Sequence, residues 1–176
     1  MSDAIFEESV YYKVLQFERG EIQFTDATNA QKLFVKYGKD IRYNALWKKW
    51  LVWNGKYWKI DNGNLIFNKC LEMVRSIYQE IRKTADYRER LDIEKHAIQS
   101  ESSRRRKAAV EAASWIPELN IETEDLDTDP YLLNVQNGTI DLRTGKLREH
   151  RQEDLNTRMA NVECSLQRDR LLNLSL

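Results

Sequence analysis

IRYNALWKKWLVWNGKYWKID, residues 41–61, decides the fold class. Aromatic and β-branched residues crowd around Asn54-Gly55, the dipeptide best suited to the two positive φ angles of a mirror-image hairpin turn. Trp50-Leu51-Val52-Trp53 and Tyr57-Trp58-Lys59-Ile60 are therefore read as paired strands. A second stretch, LLNVQNGTIDLRTGKLREH (residues 132–150), reads as a three-stranded meander turning at Asn137-Gly138 and Thr144-Gly145. Its expected inward residues are Leu132, Ile140, Leu142 and Leu147.

Helical periodicity fills the interval between the two hairpin regions. Phe67, Cys70, Leu71, Val74, Ile77, Tyr78 and Ile81 follow i, i+3, i+4, i+7 spacing. A more polar helix is expected from about Tyr87 to Ile98. A third, capped by the serines at 100–103, places Ala108, Ala112, Trp115 and Ile116 on one side and ends before Pro117. Ahead of the first hairpin, Asp26 is expected to cap a helix with Ala30, Leu33, Phe34 and Tyr37 inward, closed by Gly38. Residues 153–157 suggest a brief helical piece, and MANVEC (159–164) an extended one. The sum is an α+β chain, two β-hairpin or meander segments flanking a group of three to four helices in a single domain. Residues 1–24 form an unassigned N-terminal arm, 25–164 the domain and 165–176 a tail.

Composition narrows the function classes. The 176 residues carry 28 basic and 28 acidic side chains, so no global field draws the molecule to nucleic acid and any such surface is local. Lys32, Lys36, Lys39, Arg42, Lys48, Lys49, Lys56 and Lys59 oppose only Asp40 across residues 31–60, whereas residues 111–130 hold seven acids and no base. MSDAIFEESVYYK lacks the basic start and apolar run of a signal peptide, and no uninterrupted apolar span is long enough for a membrane helix. A cytoplasmic location and no membrane partner are expected. Cys70 and Cys164 stand far apart without metal-ligand spacing and are read as packing residues.

Motifs for chemistry are tested and fail. Gly38-Lys39, Gly55-Lys56 and Gly145-Lys146 lack both the following Ser or Thr and the glycine five residues earlier that a phosphate loop needs. Asp125-Leu126-Asp127 has a spacing compatible with a divalent metal, but it lies in a uniformly acidic loop (Glu122, Glu124, Asp125, Asp127, Asp129) where carboxylates serve turns. His96 and His150 lack a nucleophile or ligand motif and are read as surface or interface residues. No catalytic residue, metal ligand or cofactor is assigned, and this chain alone is not expected to be an enzyme.

Two basic features remain. Lys48, Lys49 and Lys56 flank the tryptophans of the hairpin, and Arg104-Arg105-Arg106-Lys107 opens the third helix. Interleaved aromatic and basic side chains suit stacked bases and a phosphate strand. The competing reading of Trp47, Trp50, Trp53 and Trp58 is core packing, with the lysines solvating the opposite face. The arginine run is equally a solvated helix start.

The wording of DATNAQKLFVKYGKDIRYNALWKKWLVWNGKYWKIDNG (26–63) and LDTDPYLLNVQNGTIDLRTGKLREHRQEDLNTRM (126–159), with Ser100-Glu101-Ser102 between them, resembles the N-terminal, pre-ATPase domain of phage and plasmid primase-helicases of the poxvirus and satellite-phage type. The resemblance covers about residues 25–164. It implies a DNA-replication module beside a superfamily 3 helicase, with ATP and Mg²⁺ used only in an ATPase domain expected downstream. Implied partners are single-stranded or origin DNA, helicase subunits or other replication proteins, and a second copy of the chain. On this resemblance Lys48, Lys49, Lys56 and Arg104 to Lys107 are candidates for nucleic acid, and the exposed members of Trp47, Trp50, Trp53 and Trp58 for an interface. An interaction or regulatory fragment, such as a prophage remnant, is the alternative class. A metal-dependent nuclease using Asp125 and Asp127 is more distant.

Overall fold

The computed structural model describes residues 24–165. The expected N-terminal arm and most of the tail lie outside them. The architecture is α+β. Among the described residues, four α-helices, α1 (Asp26–Tyr37), α2 (Leu65–Ile81), α3 (Tyr87–Ser100) and α4 (Ser103–Ala113), accompany two antiparallel three-stranded sheets. One sheet has the order β1 (Ile41–Asn44), β2 (Lys49–Trp53), β3 (Trp58–Ile60), and the other β4 (Leu132–Val135), β5 (Gly138–Asp141), β6 (Lys146–Arg148). Among the described residues the backbone clusters into two compact units, a helical one with residues up to 41 and 63–120 and a strand-rich one with residues 42–62 and those from 121 onward.

In the helical unit α1 packs against α4 and α2, and α2 packs against α3 and α4. Thr25, not Asp26, caps α1: its hydroxyl accepts the Thr28 N–H, leaving Asp26 in the first turn where its charge suits the helix dipole. Gly38 ends α1 with an ordinary negative φ of -59°. The buried set of α2 is Ile66, Cys70, Met73, Val74 and Ile77, so the helix is rotated slightly from the expected face and Phe67 and Leu71 are only half-buried. Ser102 caps α4 by accepting the Arg105 N–H. Here the expected inward face is displaced by one residue: Ala109, Val110 and Ala113 are buried and Trp115 is 80% exposed. Small residues on the inner face let helix axes approach, and α4 ends at Ala113, so Trp115 falls outside the helix that would have turned it inward.

A buried polar cluster lies inside this unit. His96, 3% exposed, is a core residue rather than the surface histidine expected from its charged neighbours. Its Nε2 lies 2.9 Å from Asn29 Oδ1, and Asn29 Nδ2 donates to Ser100 Oγ at 3.0 Å. Ser100 is completely buried, which makes the chain of polar atoms a scaffold and keeps its hydroxyl from any substrate. With Nε2–H directed at Asn29, Nδ1 is an unprotonated, buried atom without a hydrogen-bond partner. Burial, reinforced by Arg105 and Lys32 and opposed by Asp26 and Glu80, lowers the imidazole pKa below its ordinary value. Cys70 is similarly desolvated, its thiol pushed up to about 11.

The strand-rich unit corrects the turn geometry. Trp53 pairs with Trp58, so the first hairpin has a four-residue connection, and Asn54 keeps a negative φ while Gly55 takes 92°. Asn54 acts through its carboxamide, whose oxygen accepts the N–H groups of Lys56 and Tyr57 at 2.9 Å each. In the second sheet Val135 pairs with Gly138, so Gln136-Asn137 form the connection and Gly138 opens the strand. Gly138 is required by closeness: a Cβ there would lie 2.4 Å from the Arg148 carbonyl oxygen. Thr144-Gly145 turns as expected, with Gly145 at φ 66°. Leu142 is 53% exposed in that turn, and the buried residues of this sheet are Asn134, Val135, Gly138 and Thr139. The expected helical piece near 153 is a 3-10 turn, Gln152–Asp154, stopped by Leu155 at φ 49°. No described helix is long and apolar enough to cross a membrane.

Two asparagines join these pieces. Buried Asn44 donates to the Ile121 carbonyl and the Thr123 hydroxyl while its oxygen accepts the Trp47 N–H. Buried Asn134 donates to the carbonyls of Lys56 and Arg158, and its oxygen accepts from His150 Nδ1 and the Thr139 hydroxyl. His150 is thus a half-buried structural partner rather than a surface residue. Leu51, Trp58 and Ile121 form the apolar core, flanked by Trp53, Leu126 and Leu155. Trp58 is anchored at both ends, its backbone N–H to the Asn156 carbonyl and its indole N–H to the Gln152 carbonyl.

Two consequences are measurable. Asn134→Ala strands two carbonyls and the His150 N–H, and should lower unfolding stability by about 2–4 kcal/mol; a urea midpoint equal to wild type would contradict the role given to this amide. Because the folded pKa of His96 is lowered, the unfolded chain takes up the proton first as pH falls through 6.5. The contribution is therefore complete above that pH and lost below it, and His96→Gln should flatten the dependence between pH 7.5 and about 5.5. Equal slopes for the two proteins would overturn it.

Candidate nucleic-acid interface

The connection between β1 and β2 is the most exposed part of the first sheet. Ala45, Leu46, Trp47, Lys48 and Lys49 all face solvent, Leu46 at 75% and Trp47 at 37%. Its shape is imposed from beneath. Asn44 Oδ1 accepts the Trp47 N–H at 2.9 Å, and Lys48 stands at φ 53°, a left-handed conformation that a lysine adopts at a cost. The result is a fixed turn presenting an aliphatic side chain, an indole and two ammonium groups in succession. Leu46 carried no signal of its own, because an isolated leucine before a tryptophan is indistinguishable from a core residue.

The tryptophans divide. Trp50 is 8% and Trp58 1% exposed, which makes both core residues and takes them out of any surface a partner can reach. Trp53 is half-buried against Trp58, with ring centroids 5.7 Å apart. Trp47 is the exposed member. Physically, the β2 residues 50–52 are all buried, so simple alternation of one wet and one dry face does not apply to this strand. Arg42 is also drawn inward, its guanidinium 5.0 Å from the Trp58 ring centroid.

Lys56 occupies the neighbouring β2–β3 connection, exposed but with its ammonium donating to the Gln136 carbonyl at 2.7 Å. An anion would have to share it with that carbonyl. In the helical unit the basic run divides as a helix requires. Arg104 and Lys107 are exposed, while Arg105 and Arg106 are half-buried. The Arg106 Nε donates to the Glu101 carbonyl, and Arg105 is among the charges acting on His96. Lys48 and Lys49 thus belong to one unit and Arg104 and Lys107 to the other.

The acidic loop is taken up by local structure. Asp125 Oδ2 accepts the Glu122 N–H in a reciprocal cap. Asp127, at φ 53°, accepts from the backbone N–H and the hydroxyl of Thr157. Asp129 accepts the Tyr131 N–H and pairs with Arg143 at 2.7 Å, and both interactions hold its carboxyl below the usual range. Among the described residues no group of three or more His, Cys, Asp or Glu converges as a metal site.

Sequence comparison supplies an independent finding. The family model described as D5 N terminal like matches residues 30–170, spanning both hairpin regions and the helices between them. No curated protein matches the chain.

Proposed function

The chain belongs to the D5 N-terminal-like family, the N-terminal domain of phage and plasmid primase-helicases, and on that premise we propose that it engages DNA for a replicative helicase through the β1–β2 turn. A primase-helicase-associated replication module is the coarse function that the family carries. The observation supporting the finer reading is the exposed succession Leu46, Trp47, Lys48, Lys49 on a turn held by Asn44. Ammonium groups neutralise phosphates and release their counterions, while an exposed indole offers a stacking face to any unpaired base. The left-handed Lys48 fits this role, since local strain is retained where a side chain must be held in place. In this scheme ATP and Mg²⁺ serve the helicase motor.

A second reading, contact between helicase subunits, is favoured by one feature. Tyr87, Leu91 and Ile98 of α3 are 67%, 45% and 59% exposed and share a helical face. Such a stripe suits a neighbouring subunit more than a phosphate strand.

Titration of a fluorescent single-stranded oligonucleotide at several salt concentrations tests the first reading. Lys48→Ala with Lys49→Ala should weaken binding and reduce the logarithmic salt slope by about 1.4, two single-strand phosphate contacts. An unchanged slope would remove the turn from the interface. Lys48→Gly separates strain from charge: it should raise folding stability by about 1 kcal/mol and still weaken binding. For the second reading, Leu91→Asp with Ile98→Asp should shift sedimentation toward monomer; identical profiles for variant and parent exclude the stripe as a subunit contact.

A further inference from the structure

The most exposed tryptophan in the described structure lies outside the hairpin. Trp115 follows α4 and is 80% exposed. Its N–H donates to the Ala112 carbonyl, so the chain continues to turn past the end of the helix. Arg104, Lys107, Glu111 and Trp115 are spaced i, i+3, i+7, i+11 and are all exposed. The opposite face, Ala109, Val110 and Ala113, is buried, which orients this stripe to solvent. From Arg104 to Trp115 the stripe extends roughly 16 Å at the rise of a helix, long enough to follow several nucleotides of a single strand.

We propose that this α4 face is a second nucleic-acid contact, specific for single strands, in which Trp115 stacks on an unpaired base and Arg104 and Lys107 hold phosphates further along the same strand. The proposal rests on the DNA-engagement reading but uses different residues in a different unit of the fold. Charge complementarity selects the occupant: both cations are at the end of the stripe remote from the indole, with side chains reaching into solvent. An indole at 80% exposure has its ring faces open, as a stacking platform needs. Duplex DNA satisfies only half of the site, because its bases are already stacked on one another. Glu111 opposes a phosphate between the two ends and thereby limits affinity, so the stripe also carries a built-in negative test.

The experiment uses the full chain and a fluorescein-labelled oligodeoxythymidylate, read by anisotropy, with a duplex of the same length in parallel. Trp115→Ala should weaken single-strand binding about tenfold with little change in salt slope, since stacking releases no counterions. Trp115→Phe should recover part of the loss. Arg104→Ala with Lys107→Ala should reduce the slope by about 1.4, and Glu111→Gln should tighten binding. Wild-type affinity in Trp115→Ala, or an equal loss on duplex, overturns the proposal; if Lys48→Ala with Lys49→Ala still weakens binding, the hairpin reading survives that failure. Absence of binding by the parent chain overturns both. A change in sedimentation of Trp115→Ala without a change in anisotropy assigns the face to protein contact and also overturns the proposal.

Discussion

The side chain of Asn134 ties separate segments of the strand-rich unit to one another. Its amide nitrogen reaches the Lys56 carbonyl in the first hairpin and the Arg158 carbonyl in the closing segment, and its oxygen receives His150 and Thr139. Its own carbonyl accepts the Ala160 N–H, and two residues on Gln136 donates to the Val162 carbonyl, so the extended 160–162 stretch runs beside β4. Neither sheet has more than three strands, and small sheets bury too little apolar surface to fix their own arrangement. A buried amide with both ends satisfied supplies direction where hydrophobic burial supplies only attraction. Once the Lys56 carbonyl is held, the β2–β3 connection is fixed, and Trp58 and Leu51 can close over Ile121.

The helical unit repeats the device with different residues. Asn29, His96 and Ser100 come from α1 and α3 and form one buried polar chain within otherwise apolar packing. This arrangement makes a neutral histidine part of the fold and ties helix placement to proton concentration. On α4, Arg105 and Arg106 are half-buried while Arg104 and Lys107 are exposed. The division of a continuous basic run into structural and available halves follows from helical geometry alone.

Much of the architecture is legible because local signals agree with one another. Asn54 and Gly55 lie between two aromatic runs that do pair, Ser102 does cap α4, and the meander after residue 132 has three strands in the expected order. The misreadings have a common cause. Asn54 is expected at a positive φ but works instead through its carboxamide, as does Asn137, which exchanges two hydrogen bonds with Cys164. His96 and His150 stand among charged neighbours along the chain but face buried asparagines across it. A side-chain amide has no periodicity, so a partner 67 or 16 residues away leaves no trace in pattern.

The candidate site shows the same division. The sequence by itself determined the α+β class, the positions of both hairpins, the local excess of lysine and the family wording, because each depends on residues close together in the chain. Only the tertiary structure decided which tryptophans are available. Trp58 is taken into a core made with Leu51 and Ile121, and Trp50 is buried beside Tyr43, while Trp47 and Trp115 are left in water. Burial is a property of what arrives from elsewhere in the chain, and two indoles with equally basic neighbours differ only in whether a distant segment folds over them.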